Sequence, residues 1–302
     1  MSRVINGDTI LPKTSESPEA PEKKRLDHIL VGIYKSYNRS TLQKFIESGF
    51  VKVDGELVTK SNAKFPEGVK IDLQVPDTQK NADVQPAIIY EDDNVIVVDK
   101  PAGLLSEAKG EYCPERTLAD FGLVVHRLDR DTSGVMILAK DEATQAYLKK
   151  QFQNRTVHKT YRAVVQGRPR LDQAKIDLPL LRDKQRPTTF RVDPNGKESV
   201  TFYRLLQTND YCSLVELKPV SGRTHQLRVH MQYLGHPILG DPVYGDPKSV
   251  TKAEQSLGHK LVHRLYLHAC ELEITLPGGR RTTFTSPMPD CFNVASRGND
   301  VF

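Results

Sequence analysis

The stretch HRLDRDTSG, residues 126–134, holds two arginines, two aspartates, a histidine, a threonine and a serine. A structural turn does not require so many charges. Asp129 stands at its centre, with guanidinium-bearing residues on both sides, Arg127 and Arg130. The apolar run GVMILAK follows at once and reads as a buried strand, so a rigid sheet could fix the carboxylate. A second motif, VSGRTHQLRVH, places Arg223 at the start of a predicted helix. A carboxylate held by a buried guanidinium stays ionised. An ionised, partly desolvated carboxylate can serve as a nucleophile or as a base. The competing reading is an ordinary surface ion pair in a charged turn.

Several reactions lack their residues. A retaining glycosidase needs a second carboxylate about 5 Å away, and the strong motifs offer none. The serine-hydrolase pattern G-x-S-x-G and the phosphate loop G-x-x-x-x-G-K-[ST] are absent. His225, His230 and His236 do not match H-E-x-x-H. The four cysteines, Cys113, Cys212, Cys270 and Cys291, form no C-x-x-C pair. Their spacing gives no zinc signature, and they are expected to be reduced thiols of a cytoplasmic protein.

The elements that must position these residues can be read from periodicity. Residues 1–23 are rich in Ser, Pro, Glu and Lys and are expected to be a disordered tail. A small unit is expected over 24–75. Leu26, Ile29, Leu30 and Ile33 recur with a helix period. A second helix should start at an N-cap Ser40, bury Leu42, Phe45 and Ile46, and stop at Gly49. Asp54-Gly55 signals a hairpin, and residues 69–75 alternate as a closing strand. This unit carries nine Lys/Arg against six Asp/Glu, most of the chain's net charge of +5. Arg25, Arg39 and Lys44 are its candidate phosphate contacts, against the alternative of a solvated basic face. A polar segment bounded by prolines, 76–86, reads as a linker, leaving 87–302 as the larger domain.

In that domain NVIVVDK, GVMILAK, KTYRAVV, SVTFYRLL and YCSLVEL read as strands, and LHACELEITLPGGRRTTFTSP as a late hairpin. DEATQAYLKKQF reads as a helix capped by Asp141, and THQLRVHMQYLG as one stopped by Gly235, with Leu227, Met231 and Leu234 in the core. Strands outnumber helices without regular alternation. The expected fold class is therefore α+β, a mixed and largely antiparallel sheet with flanking helices behind a small helix-and-hairpin unit. No run of 18 apolar residues and no apolar leader occurs, so neither a membrane span nor secretion is expected.

HRLDRDTSGVMILAK, KTYRAVVQG and SGRTHQLRVHMQYLGHPILGDPVYG resemble the three signature segments of the RluA-type pseudouridine synthases, in the right order. IIYEDDNVIVVDKPAG and LYLHACELEITLP resemble the same family, so the likeness spans about residues 86–290. Residues 24–75 resemble the S-four-type RNA-binding module through RLDHIL, NRSTLQKFI and GFVKVDGELV. The resemblance implies conversion of uridine to pseudouridine in structured RNA, without metal or organic cofactor. Ribosomal RNA of the large subunit is the favoured substrate and transfer RNA the alternative. A monomer is expected.

By resemblance Asp129 is the catalytic aspartate, which attacks the nucleotide or removes a proton from its sugar. Tyr161 is the tyrosine over the base, Arg223 the arginine paired with the aspartate, and Arg127 the arginine that enters the RNA where the base leaves the stack. Leu128 should face the core and Arg130 solvent or phosphate. His126, Thr132, Ser133 and Gly134 should shape the loop. A binding protein that has lost catalysis would lack part of the set Asp129, Tyr161 and Arg223, and all three are present. A nucleoside hydrolase would show a calcium-binding aspartate cluster, and none is visible. Two departures stand out: the segment before His126 is short and lacks the usual histidine-proline, and Ser221 replaces the more usual threonine.

Overall fold

The computed structural model describes residues 23–35, 37–75, 83–108 and 115–295. Nearly all of the expected tail, most of the expected linker and Cys113 lie outside them. Among the described residues, those up to 75 and those from 83 onward fall into two compact units.

The first unit runs β1 (Lys24–Arg25), α1 (Leu26–Ile33), α2 (Arg39–Glu47), β2 (Val51–Val53), β3 (Glu56–Leu57), β4 (Lys64–Phe65) and β5 (Ile71–Leu73). Leu26, Leu30, Leu42, Phe45 and Ile46 form its core with Val51 and Val53. Ile33 is instead exposed, because it ends α1. The cap of α2 is Asn38 rather than Ser40. The Asn38 Oδ1 accepts from the Thr41 amide at 3.0 Å, and the Ser40 hydroxyl donates to the same oxygen at 2.7 Å. Asn38 has the three-residue reach to an orphan amide that a cap needs, whereas Ser40 is already inside the helix. The β2–β3 hairpin turns through Asp54 and Gly55, both with positive φ (51° and 87°). That geometry matches the right-handed twist of the strands. The closing strand β5 pairs with β2 over only Ile71–Leu73.

The second unit contains β6 (Ala87–Glu91), β7 (Val95–Lys100), β8 (Leu123–Val124), β9 (Ser133–Ala139), α3 (Glu142–Gln153), β10 (His158–Gln166), β11 (Gln173–Asp177), β12 (Leu180–Arg182), β13 (Phe190–Val192), β14 (Val200–Thr208), β15 (Cys212–Pro219), α4 (Gln226–Tyr233), α5 (Ser249–Leu257), β16 (Leu267–Thr275) and β17 (Arg281–Thr285). A ten-stranded sheet has the order β11-β14-β15-β10-β16-β9-β7-β6, with β17 on β16 and β8 on β9. Its pairings are antiparallel except β9 with β16. The mixed, largely antiparallel class expected from sequence is the class observed. Strands β11 to β13 and helix α5 have no counterpart among the expected elements.

The parallel crossing positions the site. Ala269 of β16 pairs with Gly134 on one side and Tyr161 of β10 on the other. Adjacent strands lie about 4.8 Å apart, so the Asp129 loop, which leads into β9, opens two strands from Tyr161. Gly134 is required here by close approach rather than by a tight turn: a Cβ would lie 2.1 Å from the Ala269 carbonyl oxygen. The core forms two clusters, one under β10, β15 and α4 and one under β7, β9 and α3, and Tyr161 packs against both. Among the described residues, no helix is long and apolar enough to cross a membrane.

Candidate active site

The Asp129 loop is held from beneath. Leu128 is buried, as its apolar side chain requires, and fixes the residue before the carboxylate. Its amide donates to the Ser106 hydroxyl at 3.1 Å, and that hydroxyl donates to its carbonyl at 2.8 Å. Lys100, fully buried at the end of β7, donates to the carbonyls of Pro101, Leu104 and Arg130. Three acceptors match the three donors of an ammonium. Burial nevertheless pulls this amine down to about 7, against the opposing pull of Asp131 and Asp129. Arg130 is exposed, donates to the Gly103 carbonyl and pairs with Glu115 at 2.9 Å. Ser106 and Glu115 both belong to the departing segment before His126, which is therefore a support of the loop. The His126 ring stacks on Phe152 at 4.5 Å, and its Nε2 accepts from the Ile137 amide. Burial and the nearby Lys159 charge hold it down to about 3, so it is neutral.

The guanidinium at the carboxylate is Arg228, not Arg223. Arg228 Nη1 lies 3.1 Å from Asp129 Oδ2, and the same guanidinium grips Asp241 through Nε at 2.7 Å and Nη2 at 2.8 Å. It is 6% exposed, against 26% for Asp129. Burial opposes the charge on Arg228, but the bonds and charges of Asp241 and Asp129 outweigh it and raise its pKa. Burial likewise opposes ionisation of Asp241, yet Arg228 and the amides of Tyr244 and Val243 leave its pKa lowered. Arg223 instead donates through Nε to the Glu198 carbonyl at 3.2 Å.

A backbone feature explains the exchange. His225 has φ 57°, a left-handed conformation that a non-glycine residue rarely adopts, and α4 begins only at Gln226. Arg223 thus lies on the loop ahead of this reversal, whereas Arg228 lies in the first turn of the helix. Gln226 locks the loop: its Oε1 accepts from the Ser221 hydroxyl and the Arg223 amide, and its Nε2 donates to the Val200 carbonyl and to Thr201. Ser221 therefore supplies the hydroxyl expected where threonine is more usual. Gln226 is buried structure, and Leu234, expected in the core, is exposed.

Asp129, Tyr161, Arg223 and Arg127 all line one pocket of about 560 Å³. That lies within the range of about 300–1,000 Å³ for small-ligand sites. Burial first, and then the Asp129 charge, push the Tyr161 pKa well up, so the residue is a phenol. Arg127 is exposed at the pocket, with no hydrogen-bond or ion-pair partner among the described residues. Arg25 and Arg39 both pair with Asp27, and Gln43 donates to it at 2.7 Å. Lys44 is exposed. Asp27 was not singled out by sequence, and the signal was available in an aspartate inside the first turn of an apolar helix.

The RNA pseudouridylate synthase family model matches residues 94–233, and the S4 domain model matches residues 24–71. A ribosomal large subunit pseudouridine synthase D of Vibrio parahaemolyticus is 34% identical over 287 residues, covering 88% of this chain and 88% of that protein. The chain belongs to the RNA pseudouridylate synthase family. An uncharacterised RNA pseudouridine synthase of Aquifex aeolicus is 36% identical, covering 72% of this chain and 75% of that one. The solved human RNA pseudouridylate synthase domain containing 4 is 27% identical, with a TM-score of 0.57, over 69% of this chain and 91% of that one. As a pseudouridine synthase, the chain is an isomerase acting on RNA, with an S4 RNA-binding domain ahead of the catalytic domain.

The ionic cluster in that S4 domain makes a stability prediction. The bonds from Arg25, Gln43 and Arg39 hold the Asp27 carboxyl well below the usual range, although burial pushes the other way. A depressed pKa stabilises the fold above the unfolded value of about 3.9 and ceases to do so as pH falls through the folded value. Asp27→Asn should cost about 1–3 kcal/mol, since both arginines remain near solvent. It should also flatten the acid dependence of α1 stability. Amide exchange of α1 in the full chain, followed from pH 6 downward, checks both.

Proposed function

We propose that this synthase modifies uridine in large-subunit ribosomal RNA, as a cytoplasmic monomer, with Asp129 as the reacting carboxylate. The observation that carries the reading is the state of that carboxylate. Arg228 holds Oδ2, whereas Oδ1 has no hydrogen-bond donor among the described residues, with His225 Nε2 3.9 Å away. One oxygen is thus oriented and the other is available in a pocket shared with Tyr161. The substrate reading is supported by the relatives named for the ribosomal large subunit in two Vibrio species and by the S4 domain.

A glycosidic bond inside a stacked helix is out of reach, so the uridine must leave the stack. Arg127, exposed at the pocket and without a partner among the described residues, is suited to fill the gap it leaves. Asp129 then attacks the nucleotide or takes a proton from its sugar. The bond from the sugar to ring nitrogen one breaks, the uracil turns, and carbon five bonds to the sugar. Carbon five loses its proton and nitrogen one gains one, so the reaction balances without a redox partner. Tyr161 supplies a ring against the base and a hydroxyl close to Asp129. In the S4 domain Arg25 and Arg39 form a pair aligned by Asp27, and with Lys44 they offer contacts to phosphate.

Tyr161→Phe should bind RNA within about threefold of wild type but turn over at least about tenfold more slowly, because the ring is kept and the hydroxyl is lost. Full activity in that variant would leave stacking as the whole contribution of Tyr161. The substrate is tested by mapping pseudouridines in cells with and without the gene. Loss of one or more sites in large-subunit ribosomal RNA is expected, whereas losses confined to transfer RNA would reassign the substrate.

A further inference from the structure

Two of the basic side chains around the pocket are neutralised by carboxylates. Arg228 faces two aspartates, and Arg155 pairs with Glu198 at 3.1 Å. Lys159 and Arg223, like Arg127 in the same pocket, have no carboxylate partner among the described residues. Lys159 lies on β10, two residues before Tyr161, and is half-buried. Its ammonium makes one long bond, 3.4 Å to the Ser221 carbonyl, and no carboxylate pairs with it among the described residues. Two of its three donors therefore have no partner among the described residues. Arg223 spends Nε on the Glu198 carbonyl, which leaves its two terminal nitrogens without a partner among the described residues. Gly222, next to Arg223 in sequence, brings the loop to Lys159: a Cβ there would lie 3.6 Å from Lys159 Nζ, at ordinary contact distance.

We propose that Lys159 and Arg223 cradle one backbone phosphate of the RNA strand where the target nucleotide enters the pocket. The proposal rests on the reading that this pocket receives a uridine nucleotide. A partly desolvated cation without a counter-ion is unfavourable. It is tolerated where the ligand brings the anion. A neutral uracil carbonyl would satisfy one donor but not the charge. A phosphate supplies full charge and several acceptors, to an ammonium as a point charge and to a guanidinium as a fork. Burial also holds the Lys159 amine down to about 8, as for a cation whose partner has yet to arrive.

The test uses transcribed large-subunit ribosomal RNA carrying tritium at carbon five of uridine, with the full-length chain. Lys159→Met and Arg223→Met should each raise KM about tenfold near 0.1 M salt and leave kcat within about threefold. The slope of log affinity against log salt should fall in each variant, by at most about 0.7, the contribution of one single-strand phosphate. Lys159→Arg should keep most of the affinity and the slope. Unchanged KM and slope in both Met variants would overturn the cradle. So would a fall in kcat at constant KM, which would place the cations on the base. If Lys159→Met fails to fold, Arg223→Met and Lys159→Arg still decide. The salt slope needs no turnover, so a wild type that binds but releases no tritium would count against the substrate reading and leave the cradle measurable.

Discussion

Arg228→Met is expected to lower both turnover and stability, and Arg223→Met to lower neither comparably. Arg228 joins Asp129 on the β9 loop to Asp241 beyond α4, and both guanidinium edges are used. Its removal strands Asp241, which is wholly buried, without its counter-ion. Breaking a buried ion pair from one side commonly costs about 3–5 kcal/mol. It also releases the carboxylate of Asp129 from a fixed orientation, and misplacement of a reacting group by about 1 Å can cost on the order of a hundredfold in rate. Arg228→Lys should recover only part of either quantity, since a point charge cannot serve two carboxylates in a fixed fork. Arg228 also adds an acid dependence. Asp241 has a lowered pKa, so its contribution is present above about pH 3.9 and fades as pH falls further. Thermal melting from pH 7 to pH 3 should show that loss in the wild type and much less of it in Arg228→Met. An Arg228→Met enzyme as stable and as fast as wild type would dissociate Arg228 from Asp129.

What the sequence could reveal depended on how local each cause was. Asp129, Leu128 and Arg127 are set by three neighbouring positions at the mouth of a strand, and a motif of that length is legible directly. The sheet class followed from alternation and from the lack of regular helix–strand succession. Choosing the arginine was harder, because Arg223 and Arg228 are five residues apart in one motif. The left-handed turn at His225 decides which of them reaches Asp129. A clue existed: Arg228 follows Leu227 on a helix whose Leu227 and Met231 face the core, so it needed a buried carboxylate, and Asp241 supplies one. Ser106 and Lys100 were invisible as loop supports because the bonds by which they hold the loop go to its main-chain carbonyls and an amide more than twenty residues away. The expected cap at Ser40 failed for a smaller reason, since Asn38, two residues earlier, has the better geometry.

In the proposed function the Asp129 carboxylate acts on the uridine. Asn has the same shape and can accept a bond from Arg228, but it is neither a nucleophile of use here nor a base. The decisive measurement is single-turnover release of tritium from carbon five, with the RNA saturated by enzyme, in wild type and Asp129→Asn, alongside the affinity of each for the same RNA. The expected rate is lower by about a thousandfold or more, with affinity within about threefold, because the proposed RNA contacts lie on other side chains. Tritium release within about tenfold of wild type at equal affinity would contradict it and remove Asp129 from the chemistry.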